Sequence, residues 1–344
     1  MKAPFPWFGG KSLAAHHVWT AMGDVEHYVE PFAGSLAVLL VRPHAPRVET
    51  VNDLDRYICN FWRALQAAPD EVAYWADQPV NESDLTARHI WLVNSGAERI
   101  ARLEGDPDYY DAKVAGWWVW GLCCWIGAGW CAGGGPWGSE NRQLVHLGNP
   151  GQGVNRQLVH LGNPGQGVNR RLVHLGNPGQ GVNRKRVHFG GQHGGLPGVL
   201  RGNQNLLDYL SELAARLRYV RVCCGDWARV VTRGALSHGS TVGVFLDPPY
   251  DMALRDSTIY RQDAEGLSGQ VREWCLENGD NPRYRIVLAG YEGEHDMPWR
   301  SVAWKARRAM GRADSPDNDN RHKERLWLSP HCLDPLPLFD LDAG

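Results

Sequence analysis

The chain has 344 residues, a formal net charge of −2 and 43% hydrophobic residues, which is enough for a sizeable core and two domains. It contains no run of about 18 apolar residues and no secretory signal pattern, so we expect a cytoplasmic protein without a membrane span. The eight cysteines lack a paired CxxC spacing, so we expect reduced thiols and no bound metal.

The N-terminal segment predicts a ligand-binding turn before a helix. The run Trp7-Phe8-Gly9-Gly10-Lys11 precedes a predicted helix start at Ser12-Leu13-Ala14-Ala15. Two glycines before a helix allow a ligand to approach the backbone, and Lys11 is expected near the helix N-terminus.

The next stretch predicts a βαβ unit with a nucleotide-type pocket. A strand beginning at His27 leads into the turn Glu30-Pro31-Phe32-Ala33-Gly34, and a helix is predicted over Leu36–Leu40. A second strand ends at Asn52-Asp53 and is followed by a helix over Leu54–Leu65. An acid about 20 residues past a glycine turn is placed to bind ribose hydroxyls, which makes Asp53 a cofactor-binding candidate.

The segment from residue 70 to 126 is predicted to be helical, with a helix N-terminus at Pro69. Its last helix carries a cluster of tryptophans, Trp117, Trp118, Trp120 and Trp125. We interpret this cluster as a buried helix, with stacking on nucleobases as the alternative. A glycine-rich stretch follows, and its Trp130 and Trp137 are the better candidates for stacking on a base.

Three near-identical 14-residue units begin at Asn141, Asn155 and Asn169, and a decayed fourth begins at Asn183. Each unit joins a strand-like Leu-Val-His-Leu piece to a Gly-Asn-Pro-Gly-Gln-Gly turn. A fixed period favours a stacked array, either of β-arches or of hairpins, and a loop without regular structure is the alternative.

The repeat region is basic in an otherwise slightly acidic chain. Residues 141–190 contain no Asp or Glu, and they carry seven positive side chains, Arg142, Arg156, Arg170, Arg171, Arg184, Lys185 and Arg186. Such a concentration of positive charge with Asn, Gln and Gly is typical of nucleic-acid binding. A solvated basic loop is the alternative, and one histidine per unit is weak evidence for a metal site.

The C-terminal half predicts more strands of a parallel sheet. A helix over Asn205–Leu217 precedes a strand that ends at Gly225-Asp226-Trp227. The apolar run Val244-Phe245-Leu246 stops at Asp247-Pro248-Pro249-Tyr250, because prolines cannot continue a ladder. In this setting Asp247 and a backbone carbonyl can accept hydrogen bonds from an exocyclic amine, and Tyr250 can stack on its ring. A helix over 264–277, a strand over 284–289 and a strand over 324–328 follow.

Four motifs together resemble those of the Dam-like DNA adenine-N6 methyltransferases. They are Trp7–Lys11, Glu30–Gly34, Asn52-Asp53 and Asp247–Tyr250, and the resemblance covers roughly residues 1–70 and 200–330. The resemblance implies a Rossmann-like α/β sheet that uses S-adenosylmethionine (SAM) to methylate a flipped adenine in duplex DNA. Many members have Gly-x-Gly in the second motif, whereas here Gly34 is followed by Ser35-Leu36-Ala37.

The resemblance assigns roles to particular residues. The catalytic set is Asp247, Pro248, Pro249 and Tyr250. The SAM-binding set is Trp7, Gly9, Gly10, Lys11, Glu30, Pro31, Phe32, Gly34, Asp53, Asp226 and Trp227. It also implies that Asp226 contacts the SAM adenine, that the 251–263 loop closes on the target base, and that an antiparallel hairpin ends the sheet. Asp rather than Ser before Pro248 indicates adenine over cytosine-N4 as the acceptor.

The predicted organisation places a SAM-binding half in residues 1–70 and a helical segment in 71–127. A target-recognition insert with the repeats occupies 128–200, the second catalytic half 201–330 and a tail 331–344. An inactive DNA-binding protein and an RNA adenine methyltransferase are the alternative functions. The sequence leaves open the recognition site, a restriction-modification partner, and the oligomeric state, for which a monomer on DNA is one option.

The seven basic residues predict a steep salt dependence of DNA affinity. If all seven contact phosphates, a plot of log affinity against log salt should have a slope of about −6. Fluorescence anisotropy with a labelled duplex measures it. Replacing Arg156, Arg170 and Arg171 with Gln should make the slope shallower by roughly 3; an unchanged slope would show that the repeats do not contact the phosphates.

Overall fold

The computed structural model describes the backbone of residues 1–7, 11–106, 108–125, 130–131, 137–140, 143–146, 202–249, 266–304 and 324–334. Side chains are described for these residues except 137–140, 143–146 and 202–205. In these parts of the chain no helix is both long enough and apolar enough to cross a membrane.

The described residues form an α/β structure. The helices are α1 Ala15–Met22, α2 Arg56–Ala67, α3 Pro69–Ala76, α4 Glu82–Trp91, α5 Ala97–Ile100, α6 Ala112–Cys124, α7 Gly202–Leu217 and α8 Leu267–Asn278. The strands are β1 His27–Glu30, β2 Val48–Asp53, β3 Trp137–Glu140, β4 Gln143–His146, β5 Arg221–Cys224, β6 Val242–Leu246, β7 Tyr284–Tyr291, β8 Arg300–Ala303 and β9 Glu324–Leu328.

Seven strands form one sheet in the order β5-β2-β1-β6-β7-β9-β8. The first five are parallel, and β9 runs antiparallel to both β7 and β8. This arrangement fits the predicted Rossmann-like methyltransferase sheet, including its antiparallel closing hairpin. The chain leaves β1 towards β2 and β5 on one side and returns to β6 on the other. The carboxyl ends of the adjacent strands β1 and β6 therefore form the topological switch point, where ligands bind in open α/β sheets.

The central strand β6 is buried on both faces, as its continuous apolar run predicts. Its side chains alternate between two core layers because successive residues of a strand point to opposite faces. Phe245 belongs to the layer that includes α1, α2 and α7, whereas Val244 and Leu246 belong to the layer that includes α8. Both layers hold β6 in register with β1 and β7.

Helix boundaries follow local capping chemistry. The side chains of Asp55, Asn81 and Asp111 each accept a backbone N–H in the first turn of α2, α4 and α6. Pro69 occupies the first turn of α3, where its missing N–H costs nothing. The predicted helix N-terminus at Pro69 is thus confirmed.

The helix predicted over Leu36–Leu40 is wrong. The structure has only a short 3₁₀ turn over Leu39–Val41. Leu36 adopts φ of 56°, a left-handed conformation that a right-handed helix cannot include. The backbone between Gly34 and the 3₁₀ turn is therefore a folded loop, although its apolar side chains are buried as in a helix.

The helical segment packs directly on the sheet domain. Residues of α3 and α6 share one hydrophobic core with α2 and α7. Contact between α3 and α6 is close because Gly116 lacks a side chain: a Cβ there would lie 2.3 Å from Cβ of Trp75. The predicted domain boundaries at residues 70, 127, 200 and 330 stay predictions.

Only the start of the repeat region is described. The strands β3 and β4 pair antiparallel, with Trp137 opposite His146 and Glu140 opposite Gln143. β4 includes Leu144–His146 of the strand-like piece in the first unit, so this part is a strand as predicted, whereas Leu147 lies outside the described residues. The other units lie outside the described residues.

Gly116 gives a test of the α3–α6 packing. Gly116→Ala should lower the free energy of unfolding by about 1–3 kcal/mol, because the added methyl overlaps Trp75 and the backbone of Val72. Gly234→Ala is the matched control, since no atom lies within 4 Å of its Cβ position. Urea denaturation measures both variants; equal midpoints would contradict the packing account.

Candidate active site

The carboxyl ends of four parallel strands bring most predicted site residues to one edge of the sheet. Glu30 ends β1, Asp53 ends β2, Asp226 follows β5 and Asp247 follows β6. Their neighbours Pro31, Phe32, Gly34, Trp227, Pro248 and Pro249 lie on the same edge. The order of the strands thus assembles motifs that are widely separated in the sequence.

Asn52 ties the strand ends together. Its Nδ2 donates to the carbonyl oxygens of Pro31, at 3.1 Å, and Gly225, at 2.9 Å. Its backbone oxygen accepts from the N–H of Ala33 at 2.9 Å. Among the described residues its buried Oδ1 has no hydrogen-bond partner. One side chain therefore fixes the loops after β1 and β5, and it leaves an acceptor for a further donor.

Asp53 shapes the glycine turn. Its Oδ2 accepts from the N–H of Gly34 at 2.9 Å, and its Oδ1 accepts from the N–H of Asp55 at 2.9 Å. Burial raises the pKa of Asp53, and these backbone donors oppose the rise. Gly34 has φ of 45°, and a Cβ there would lie 2.6 Å from Nε1 of Trp7. A glycine is therefore required at this turn even without the Gly-x-Gly pattern.

An aromatic pair lies beside these acids. Phe32 and Trp227 stack with ring centroids 6.0 Å apart and planes at 27°. The side chain of Asp226 caps the turn that carries Trp227 by accepting from the N–H of Ala228 at 2.8 Å. This cap uses one carboxylate oxygen of Asp226 and leaves the second for another donor.

Lys11 forms an ion pair at the part of the site where Asp247 lies. Its Nζ lies 2.8 Å from Oδ1 of Asp247 and 3.9 Å from Oε2 of Glu324. The Lys11 and Glu324 side chains are 3% and 5% exposed, and that of Asp247 is 21% exposed. The motif resemblance puts Lys11 with the cofactor residues and does not point to Glu324. No local signal could have found this acid, because only the pairing of β9 with β7 brings it to the site.

Glu30 is a buried acid next to this group. Its Oε2 accepts from the hydroxyl of Tyr28 at 3.0 Å. Burial raises the pKa of Glu30 well above its ordinary value of 4.5. The Tyr28 hydrogen bond opposes this rise, and the nearby charges of Asp247 and Asp53 add to it. Glu30 is therefore held towards its neutral form, in which it can also donate.

The tryptophan cluster is mainly structural. Trp118 and Trp120 are buried in the core, which confirms the interpretation of α6 as a buried helix. The half-buried Trp117 is covered by cations: Nζ of Lys113 lies 4.3 Å and the guanidinium of Arg88 5.2 Å from its ring centre. Such contacts are favourable at partly exposed sites. They account for part of the large tryptophan content without a nucleobase.

Trp130 is packed inside the protein. It is 7% exposed, and its Nε1 donates to the carbonyl of Trp118 at 2.9 Å. Its ring sits where a Cβ of Gly121 would be, at 1.8 Å. The structure thus gives Trp130 a packing role, and its contact with DNA stays a prediction. For Trp137 only the backbone of β3 is described, so its contact with DNA also stays a prediction.

Several predicted site residues lie outside the described residues. They are Gly9, Gly10, Tyr250, Arg142, Arg156, Arg170, Arg171, Arg184, Lys185 and Arg186.

The eight cysteines are free thiols. Within the described segments no cluster of three His, Cys, Asp or Glu side chains is arranged to hold a metal ion.

The buried Glu30 predicts a pH-dependent stability. Because its folded-state pKa is raised, its contribution to stability is fully present below pH 4.5 and is lost as the pH rises towards the folded-state pKa. Wild type should therefore lose stability relative to Glu30→Gln as the pH rises above 4.5. Urea denaturation across this range measures the difference. Glu98→Gln, at an exposed position, should show none; a pH-independent difference for Glu30→Gln would contradict the assignment.

Comparison with known proteins bears on the same residues. The family model for D12 class N6 adenine-specific DNA methyltransferases matches residues 7–88. That segment includes Lys11, the Glu30–Gly34 turn and Asp53. No curated protein matches the chain. The family match confirms the resemblance seen in the motifs, and it supports placing this chain in the Dam-like DNA adenine-N6 methyltransferase family.

Proposed function

We propose that this protein transfers a methyl group from SAM to the N6 amine of an adenine that is flipped out of a short site in duplex DNA. The family match supports an adenine-specific DNA methyltransferase. The methyl donor, the flipped base and the residue roles are our proposal.

One observation carries the proposal: Asp247 stands at the end of the central strand β6, directly beside the β1 turn at the switch point. Pro248 is buried behind it and fixes the backbone direction. A carboxylate and a rigid carbonyl at this place can accept the two hydrogens of an exocyclic amine. The same edge carries the residues suited to a nucleoside cofactor, so donor and acceptor would meet there.

The residues present fit SAM. Asp226 would accept a hydrogen bond from the adenine amine of the cofactor, and Asp53 would face the ribose hydroxyls. The stacked Phe32 and Trp227 rings offer an apolar surface for a planar base. The unpartnered Oδ1 of Asn52 adds an acceptor at the same edge. When bound, SAM supplies an electrophilic methyl group on a sulfonium ion.

The protein's part in the reaction is positioning and electrostatics. Asp247 and the adjacent backbone carbonyl orient the amine so that its nitrogen lone pair faces the methyl carbon. SAM would supply the methyl group as its C–S bond breaks, and the surplus proton of the methylated amine would leave along its hydrogen bond to Asp247 and pass to water. Tyr250 would stack on the base. Flipping the base costs a few kcal/mol, which the pocket contacts and the basic repeats offset.

Two alternatives remain as outcomes of the experiment. The departure of Gly34-Ser35-Leu36 from the Gly-x-Gly pattern of the second motif would favour an inactive DNA-binding protein. However, the Asp53–Gly34 hydrogen bond and the positive φ of Leu36 support an ordered cofactor turn at that place. Methylation of RNA is the second alternative, and no particular observation favours it.

Calorimetry with SAM and transfer of a tritiated methyl group to duplex DNA or RNA test the proposal. We expect SAM binding and labelling of adenine N6 in duplex DNA. An intact protein that binds no SAM would contradict the enzyme assignment, and labelling of RNA alone would favour the RNA alternative.

Asp247→Ala tests the acceptor role. The substitution should lower transfer by at least about 10²-fold, because it removes a contact made to the reacting amine. SAM affinity should be largely unchanged. Asp296→Ala, at an exposed aspartate, is the matched control. An active Asp247→Ala protein would refute the role of this residue.

A further inference from the structure

Lys11 lies between two acids that come from β6 and β9, the two strands that flank β7. Asp247 follows the parallel strand β6, and Glu324 opens the antiparallel strand β9. The ammonium is in direct contact with Asp247, at 2.8 Å, and at the edge of contact with Glu324, at 3.9 Å. Since both Lys11 and Glu324 are almost fully buried, water compensates their charges poorly and each depends on nearby opposite charge.

The surroundings of Lys11 favour its ammonium group whether it contacts Asp247 or Glu324. The ring of Trp304 has its centre 5.8 Å from Nζ of Lys11. The backbone of Trp304 donates to the carbonyl of Glu324 at 3.3 Å, which fixes the start of β9. Glu30 contributes little negative charge, because burial raises its pKa. The ammonium therefore pairs with Asp247 and lies within reach of Glu324.

The contact with Asp247 conflicts with the proposed reaction. In this structure Oδ1 of Asp247 accepts a charge-assisted contact from Lys11, whereas during transfer the same carboxylate must accept from the adenine amine. An ammonium is a stronger donor than a neutral amine. If it kept its position, it would compete with the amine for the carboxylate.

We propose that Glu324 is a second position for the Lys11 ammonium, and that Lys11 moves from Asp247 towards Glu324 when the target base enters. This inference rests on the proposed function. Before the base arrives, Lys11 holds the Asp247 carboxylate in place. When the amine binds Asp247, Glu324 keeps the buried ammonium paired. Lys11 and Glu324 are thus positioning residues, and they act through Asp247.

The inference predicts a particular kinetic signature. Glu324→Gln removes the second position, so Lys11 stays on Asp247 and kcat should fall about tenfold, the order expected for one charge-assisted contact. The KM values for DNA and SAM should change little, because Glu324 belongs neither to the proposed SAM-binding set nor to the basic repeats. Glu292→Gln is the matched control. Glu292 forms an ion pair with Arg325, the neighbour of Glu324 in β9, but its side chain is 58% exposed.

A double-mutant cycle with Lys11→Met separates this role from general destabilisation. If Glu324 acts through Lys11, adding Glu324→Gln to Lys11→Met should cause no further loss of kcat. Should Glu324→Gln fail to fold, Glu324→Asp keeps the charge at a shorter reach and should lower kcat by a smaller factor. Urea denaturation checks that each variant is folded.

The outcomes distinguish this inference from the proposed function. An active wild type with kcat unaffected by Glu324→Gln, or with additive losses in the cycle, would overturn the inference and leave the function standing. A wild type that transfers no methyl group to adenine would overturn both. Loss of kcat in Glu324→Gln, with unchanged KM values and no additional loss in the double variant, would support the inference.

Discussion

The site depends on where the central strand stops. The strand β6 is buried on both faces and paired on both sides, so its position is fixed by the whole core. Pro248 and Pro249 cannot donate to a ladder, so β6 ends before them. This constraint places the Asp247 carboxylate at the edge of the sheet, beside the β1 turn. The neighbouring strand ends then determine what can meet it.

The same edge concentrates carboxyl groups at a cost in stability. Glu30 is buried and Asp53 is half-buried there, and desolvation raises the pKa of both. The structure offsets the cost with specific donors: Tyr28 for Glu30, backbone N–H groups for Asp53, and Lys11 for Asp247. Local rules of stability are broken most often at functional sites. The cluster of acids therefore agrees with a site that must present acceptors to amines and hydroxyls.

The helical segment contributes to the core rather than forming a separate body. α3 and α6 pack on α2 and α7, and Trp118 and Trp120 fill the space between them. Outside this core, Lys113 and Arg88 cover the half-buried face of Trp117. Trp130 closes the end of α6 against Gly121. Trp130 thus has a packing role in the fold, and its contact with DNA stays a prediction.

Much of this protein could be predicted from its sequence. Apolar runs and their stops predicted every strand at the site edge, because hydrophobic periodicity and proline act locally. Family motifs identified Asp53, Asp226 and Asp247, and the switch point explains why they converge. The predicted helix over Leu36–Leu40 failed, since apolar spacing cannot show that Leu36 takes a positive φ.

Other features were decided only by the tertiary structure. The pairing of Lys11 with Asp247 and Glu324, and the burial of Trp130, depend on residues far apart in the chain. The sequence by itself indicated which side chains are candidates for the chemistry and where the strands at the site end, because motifs and prolines act locally. Tertiary structure decided which charges share a site, because that depends on strand order and on the antiparallel return of β9.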